Sequence, residues 1–312
     1  YLSFFLLFFI VVQAIAGDPA KAVRIVDAAV IGASLSAVVG LLIFLSNGSR
    51  ARGPLDDPND FGFMLATAIP LVVYRMRTLT SPRLKFLTGA GLIAIVACAA
   101  ATFSRGAAVG LAVTLVWLTA TRRLRLRWVL ATLAVAGIAG LVVLRLNIPL
   151  IKTALAQKQY IAGDNISSRI TAWDITYHEW RLSPFVGIGV GNYLDRYWEF
   201  SALPTSGTTH NAYLHVMAET GIFGLTFFLL FLAQGWLHLR QRPDGIDDDV
   251  GVLRNHLAAS FLTALVASLF LTEQFYSPLW LFPAIGAGLA VVRVTPKERR
   301  PVPATLVPEP TA

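Results

Sequence analysis

An all-helical, polytopic membrane protein is the fold class this sequence predicts, and three observations carry that expectation. Of its 312 residues 55% are apolar and only 14% are Asp, Glu, Lys or Arg, against roughly 25% charge in a soluble domain. The mean hydropathy is +0.63, and apolar runs such as Tyr1 to Ala16 and Phe86 to Phe103 are segments whose solvent is lipid. Basic residues gather in alternate connections between those runs. An ordinary water-soluble enzyme is excluded.

A hydrocarbon core of about 30 Å takes roughly 20 helical residues, and nine segments qualify. They run near Tyr1 to Ala16, Val26 to Leu45, Phe61 to Tyr74, Phe86 to Phe103, Gly106 to Ala120, Trp128 to Leu146, Gly221 to Leu239, Leu257 to Thr272 and Tyr276 to Val292. One set of connections holds Lys21 and Arg24, then Arg75, Arg77, Arg83 and Lys85, then Arg122, Arg123, Arg125 and Arg127, then Arg240, Arg242 and Arg254, and finally Arg293, Lys297, Arg299 and Arg300. The short connections of the other set hold only Arg50, Arg52 and Arg105. The positive-inside rule puts the first set in the cytoplasm. The net charge of +8 is thereby explained by topology, and a nucleic-acid partner has no support left.

This bookkeeping divides the chain into helices 1 to 6 over 1–146, a loop on the outer side over 147–220, helices 7 to 9 over 221–294 and a Pro-rich cytoplasmic tail over 295–312, expected to be disordered. Tyr1 in place of Met leads to the expectation of a fragment, preceded by an odd number of helices if the true N-terminus is cytoplasmic. Cys98, the single cysteine, has no partner for an intrachain disulfide and no metal-ligand spacing.

A loop as long as 147–220 is seldom structureless unless it is functional. Ile166, Ile170, Trp173, Tyr177 and Trp180 recur at steps of three and four, the period of an amphipathic helix lying at the interface, with Asp164 or Asn165 as N-cap and Pro184 as its end. The run Gly187-Ile-Gly-Val-Gly191 reads as a tight turn, because no strand precedes it as a dinucleotide loop would require. Further on, Thr208 or Thr209 is placed to cap a helix whose first turn holds His210.

Candidate chemistry concentrates at the same outer surface. A helix N-terminus disfavours an imidazolium, so His210 is expected to be neutral and able to accept a proton; the alternative is an interfacial His that only hydrogen-bonds. Arg105 and Arg169 are two cations suited to a diphosphate, or else headgroup-snorkelling and solvated charges. His210 and His215 are five apart and do not form an i,i+4 metal pair. Asp56-Asp-Pro-Asn59 reads as a turn and helix cap, and Glu219 as a residue that caps or pairs locally or, failing His210, serves as base.

The ordered set Asp57-Pro-Asn59, Ser104-Arg-Gly106, Ser168-Arg169 with Trp173, Pro184-Phe-Val-Gly-Ile-Gly-Val-Gly-Asn192, and His210-Asn-Ala-Tyr-Leu214 with Glu219, Gly221 and Gly224 resembles the O-antigen ligase and polymerase family, over roughly Asp56 to Phe231. The resemblance implies a C-type (GT-C-like) glycosyltransferase fold with a large periplasmic loop and a donor glycan carried on undecaprenyl diphosphate. It implies catalytic roles for Arg105, Arg169 and His210, and substrate binding by Arg105, Arg169, Asn211 and Glu219. Such a site needs neither cofactor nor metal: two arginines neutralise the leaving diphosphate and a neutral His deprotonates the acceptor hydroxyl, with inversion. The acceptor is lipid A core for a ligase and another glycan for a polymerase, and the motifs do not separate the two. A protein O-glycosyltransferase uses the same donor chemistry. A transporter or flippase is the reading from another class, against which the spans offer no matched pair of broken helices.

Overall fold

The computed structural model describes residues 1–47, 49–121, 149–194, 208–241 and 248–291. Among these described residues all regular structure is helical: α1 (Leu2–Gly17), α2 (Ala20–Asn47), α3 (Pro58–Thr78), α4 (Pro82–Ala101), α5 (Arg105–Ala120), α6 (Pro149–Leu182), α7 (Ala212–Arg240), α8 (Asp248–Ala267) and α9 (Pro278–Val291). Four of them, α2, α4, α7 and α8, are long and apolar enough to cross a membrane, and α1, α5 and α9 are shorter apolar helices. The protein is a membrane protein, helical throughout its described regular structure.

The centre of the bundle is α3. Asp57 starts it by accepting from the Asn59 amide at 2.6 Å, and Pro58 supplies the preset φ of a first helical residue. It packs against α2, α4, α5 and α8 and buries Phe61, Phe63, Leu65, Leu71 and Val72. Around it, α1 lies on α9 and α9 on α7. Residues such as Leu42, Phe86 and Phe227 are 60–76% exposed, and lipid is the solvent such apolar faces require.

Eight of the nine apolar segments coincide with helices; the sixth, Trp128 to Leu146, lies outside the described residues, as does the tail 295–312. Several expectations need correction. Lys21 and Arg24 lie within α2 rather than in a connection. The helix expected over Leu257 to Thr272 is displaced toward its N-terminus, so Arg254 lies inside α8, 2% exposed, donating to the carbonyls of His238 and Gln241 at 2.9 and 3.1 Å. It thus satisfies orphan acceptors at the end of α7. Neither Asp164 nor Asn165 caps α6, which begins at Pro149. The face of α6 opposite the apolar stripe packs on the protein: Ala172 and Thr176 are buried against Tyr193 and Glu179 is buried beside them, while Ile170, Trp173 and Tyr177 are 37–60% exposed. The apolar stripe of this helix is therefore its outward face, as a helix lying in a membrane interface requires.

Candidate functional site

The turns at one end of the bundle carry the sequence-predicted residues. Between α4 and α5 the chain reverses in three residues: Thr102 ends α4, Phe103 takes φ 51°, and Ser104 Oγ accepts from the Ala107 amide at 3.4 Å to start α5. Arg105 is the first residue of α5 and its side chain is exposed. No Cβ would fit at Gly62 in the first turns of α3, because Thr102 Oγ1 and the Ser104 Cβ would lie 2.7 and 2.8 Å away. The start of α3 and the Arg105 turn are thus in direct contact.

Arg169 reaches the same place from α6. One turn further along, the Trp173 indole donates to the Thr209 carbonyl at 2.9 Å, which ties α6 to the residue before His210. On its other side the segment is held by the Ala212 amide, which donates to the Ser268 carbonyl at 2.9 Å. Between these anchors His210 adopts φ 48°, a left-handed conformation uncommon for residues other than glycine. Its Nε2 lies 3.2 Å from the Thr208 hydroxyl.

The cap of α7 is not Thr208 or Thr209 but Asn211, whose Oδ1 accepts from the Tyr213 and Leu214 amides at 3.0 Å each. An amide oxygen reaches both donors, whereas the Thr209 hydroxyl is turned to the Asn211 carbonyl at 2.9 Å. His210 consequently precedes the helix instead of lying in its first turn. Its pKa is nevertheless lowered, to about 4, chiefly by burial and then by the charge of Arg169, with Asp57 opposing. Burial and a neighbouring cation, rather than the helix N-terminus, thus favour the neutral imidazole. Arg169 in turn is depressed by burial and by Arg105, again opposed by Asp57. Arg105, Arg169, His210 and Asp57 therefore form one electrostatic group, drawn from four separate stretches of sequence.

Glu219 and His215 lie beside this group. Glu219, 2% exposed, accepts at Oε1 from the Gly191 amide at 2.9 Å and meets His215 Nε2 at 3.2 Å. Through Oε1 it clamps the glycine-rich turn to α7. That turn has positive φ at Gly187, Gly189 and Gly191 (74°, 97° and 85°), and it enters a break in α7 at Gly221 (φ 67°, ψ −169°). The Ile188 and Gly189 amides donate to the carbonyls of Ala218 and Glu219, and the Ile222 amide to that of Pro184. Backbone groups freed by the break are satisfied by the turn.

Sequence reasoning missed an acidic group at the same end. Tyr276 Oη donates to Asp60 Oδ2 at 2.5 Å, and Glu273, fully buried next to Asp60, is pushed well above the ordinary carboxyl range by burial and by that neighbour. The signal available was a Glu-Gln pair between two apolar segments, at Glu273 and Gln274, which a span-by-span reading treats as a short connection. Arg50, taken as an ordinary loop cation, is 8% exposed.

Below the Arg105 turn a cavity of about 450 Å³ runs between α3, α4 and α5, lined by apolar residues including Ile69, Val96, Phe103 and Leu111, with Arg105 in its wall. An apolar channel with a cation in its wall suits an amphiphile with an anionic head.

No match to the chain is found among curated proteins. Residues 90–229, which include the Arg105 turn, Arg169, the glycine-rich turn, His210 and the break at Gly221, match the family model described as O-antigen ligase. Over that stretch, a little under half of its length, the chain is similar to the O-antigen ligase family.

Proposed function

We propose that the protein is a glycosyltransferase of the inner membrane that moves a glycan from undecaprenyl diphosphate to an acceptor hydroxyl on the periplasmic side, as an O-antigen ligase does. The observation that carries this reading is the convergence of Arg105, Arg169 and a neutral His210 at one end of the bundle, above an apolar cavity with Arg105 in its wall.

In this reading the prenyl chain lies along the apolar cavity and the diphosphate lies between the two guanidiniums, whose planar forks suit paired phosphate oxygens. His210 takes the proton of the acceptor hydroxyl as its oxygen bonds to the anomeric carbon. The bond from that carbon to the diphosphate oxygen breaks with its electron pair, and the arginines neutralise the charge that grows there. Attack opposite the leaving group inverts the anomeric centre. Asn211, whose Oδ1 is spent on the cap, keeps Nδ2 for a substrate oxygen, and Glu219 supports the site by holding Gly191.

The test is transfer by the purified protein in lipid vesicles, from a lipid-linked donor to an acceptor. His210→Ala is expected to accumulate and fold as the wild type does yet lose about 10² to 10⁴-fold in rate, the usual contribution of a general base. EDTA is expected to leave the wild-type rate unchanged. Full activity of His210→Ala, or a loss on chelation that Mg²⁺ restores, overturns this mechanism. In a deletion strain, long lipid-linked chains with bare lipid A core identify a ligase, single repeat units identify a polymerase working through the same site, and an unchanged lipid-linked pool overturns the transferase reading.

A further inference from the structure

Arg50 lies in the turn between α2 and α3 and is 8% exposed, so its guanidinium has been taken out of both water and headgroups. Burying such a charge is costly unless its donors are used. Two of them are. Nε donates to the Thr102 carbonyl at 2.8 Å and one terminal nitrogen donates to Asn59 Oδ1 at 2.8 Å. Asp57 supplies the nearby negative charge, which partly offsets the depression of the Arg50 pKa by burial.

The two acceptors lie on the two turns that meet at the site. Thr102 is the last residue before the reversal through Phe103 and Ser104 into Arg105, and the Ala51 amide donates to the adjacent Ala101 carbonyl at 3.0 Å. Asn59 is in the first turn of α3, between Asp57 and Asp60, and its own amide is the one Asp57 caps. Phe103, at φ 51°, is in a conformation that persists only where its surroundings hold it. A rigid planar fork bonded to both turns supplies that hold, and a lysine, with one point charge, cannot make both bonds in the same geometry.

We propose that Arg50 is a positioning residue: a buried brace that sets the Arg105 guanidinium relative to the start of α3, and so to the donor diphosphate, without touching substrate itself. This rests on the reading of Arg105 given above. A residue that acts through Arg105 affects the step in which Arg105 acts, where charge grows on the leaving group, and this gives the brace a kinetic signature.

The experiment measures kcat and donor KM per folded molecule, in vesicles, for Arg50→Lys, Arg105→Lys and the double variant, with thermal unfolding as the measure of folding. Arg50→Lys is expected to lower kcat about tenfold with donor KM changed less than about threefold, and to add nothing further on the Arg105→Lys background, since two residues acting as one unit are not additive. If Arg50→Lys yields no folded protein, Asn59→Ala, which removes one anchor and leaves the amide that Asp57 caps, carries the same test with a smaller loss. Wild-type kcat in the folded variant, or losses that multiply in the double variant, overturn the brace. Full activity of Arg105→Lys itself strikes instead at the diphosphate reading, so the two failures are distinguishable.

Discussion

The two halves of α7 meet at the break at Gly221 and live in different surroundings. Before Gly221, Ala212, His215, Val216, Ala218 and Glu219 are buried, and the half is held by the Ser268 carbonyl, the glycine-rich turn and Tyr193, whose ring lies 4.8 Å from that of His215. After Gly221, Phe223, Phe227, Leu230 and Leu237 are 54–70% exposed, an apolar surface suited to lipid. The first half follows directly from His210 and Asn211 and carries buried polar side chains, with Glu219 Oε1 meeting the Gly191 amide and His215 Nε2; the second has few polar groups to pair. A membrane enzyme can place chemistry only where irregular backbone is satisfied by protein, and the break at Gly221 marks that boundary.

The sharpest way to break the contrast is to remove its hinge. At φ 67° and ψ −169° Gly221 occupies a region essentially closed to other residues, and a Cβ there would lie 2.3 Å from the Phe185 backbone carbonyl. Gly221→Ala is expected to leave the protein inserted, because the second half is untouched, and to lower transfer by roughly 10²-fold or more, equivalent to about 3 kcal/mol. Phe227→Ala, in the second half and 70% exposed, is expected to transfer at the wild-type rate. Equal effects of the two, measured per inserted molecule, would show that the halves do not differ in function.

Hydropathy placed the start of the seventh apolar segment at Gly221, which is where the break lies, because transfer energies report which solvent a residue faces. The same measure left residues 212–220 outside the span, since a helix whose surface is buried in protein carries no lipid signal; the capping pattern, not hydropathy, announced the helix there. Periodicity found α6 and its outward apolar stripe at Ile170, Trp173 and Tyr177, but not the opposite face, where Thr176 and Glu179 are buried and no periodic pattern announces it. The catalytic candidates Arg105, Arg169 and His210 were legible because arginines on the sparsely charged side and a His beside a capped helix are unusual. Arg50 and Glu273 were not, because their roles depend on which turns meet across the bundle, as Arg50 does with Thr102 and Asn59.

A smaller effect separates the two arginines from generic charge. Arg105→Lys and Arg169→Lys keep the sign and lose the planar fork, and each is expected to reduce transfer about tenfold, or roughly 1.4 kcal/mol. Wild-type rates in both would show that the first half of α7 faces a site that needs only positive potential. A loss in Arg105→Lys alone would place the diphosphate at the α5 turn and leave Arg169 to tune His210.

That tuning is the smallest expected effect and the most specific. A base must be unprotonated to act, so the rate is lost as pH falls through the pKa of His210 in the free enzyme. An unperturbed His would place that loss near 6.5; burial and Arg169 lower the value to about 4. The acid limb of kcat/KM is therefore expected below pH 5, with a flat profile from there to neutrality. Arg169→Gln removes the second cause and leaves the first, so the limb should move up but stay below 6.5. Asp57→Asn keeps a residue able to cap α3 while removing the charge that opposes the shift, so the limb should move down. Opposite displacements by Arg169→Gln and Asp57→Asn, whatever happens to the maximal rate, would identify His210 as the titrating base in the field of those two residues. Displacements in the same direction, or none, would mean that the limb belongs to another group and that the strained segment before α7 serves only to shape the site.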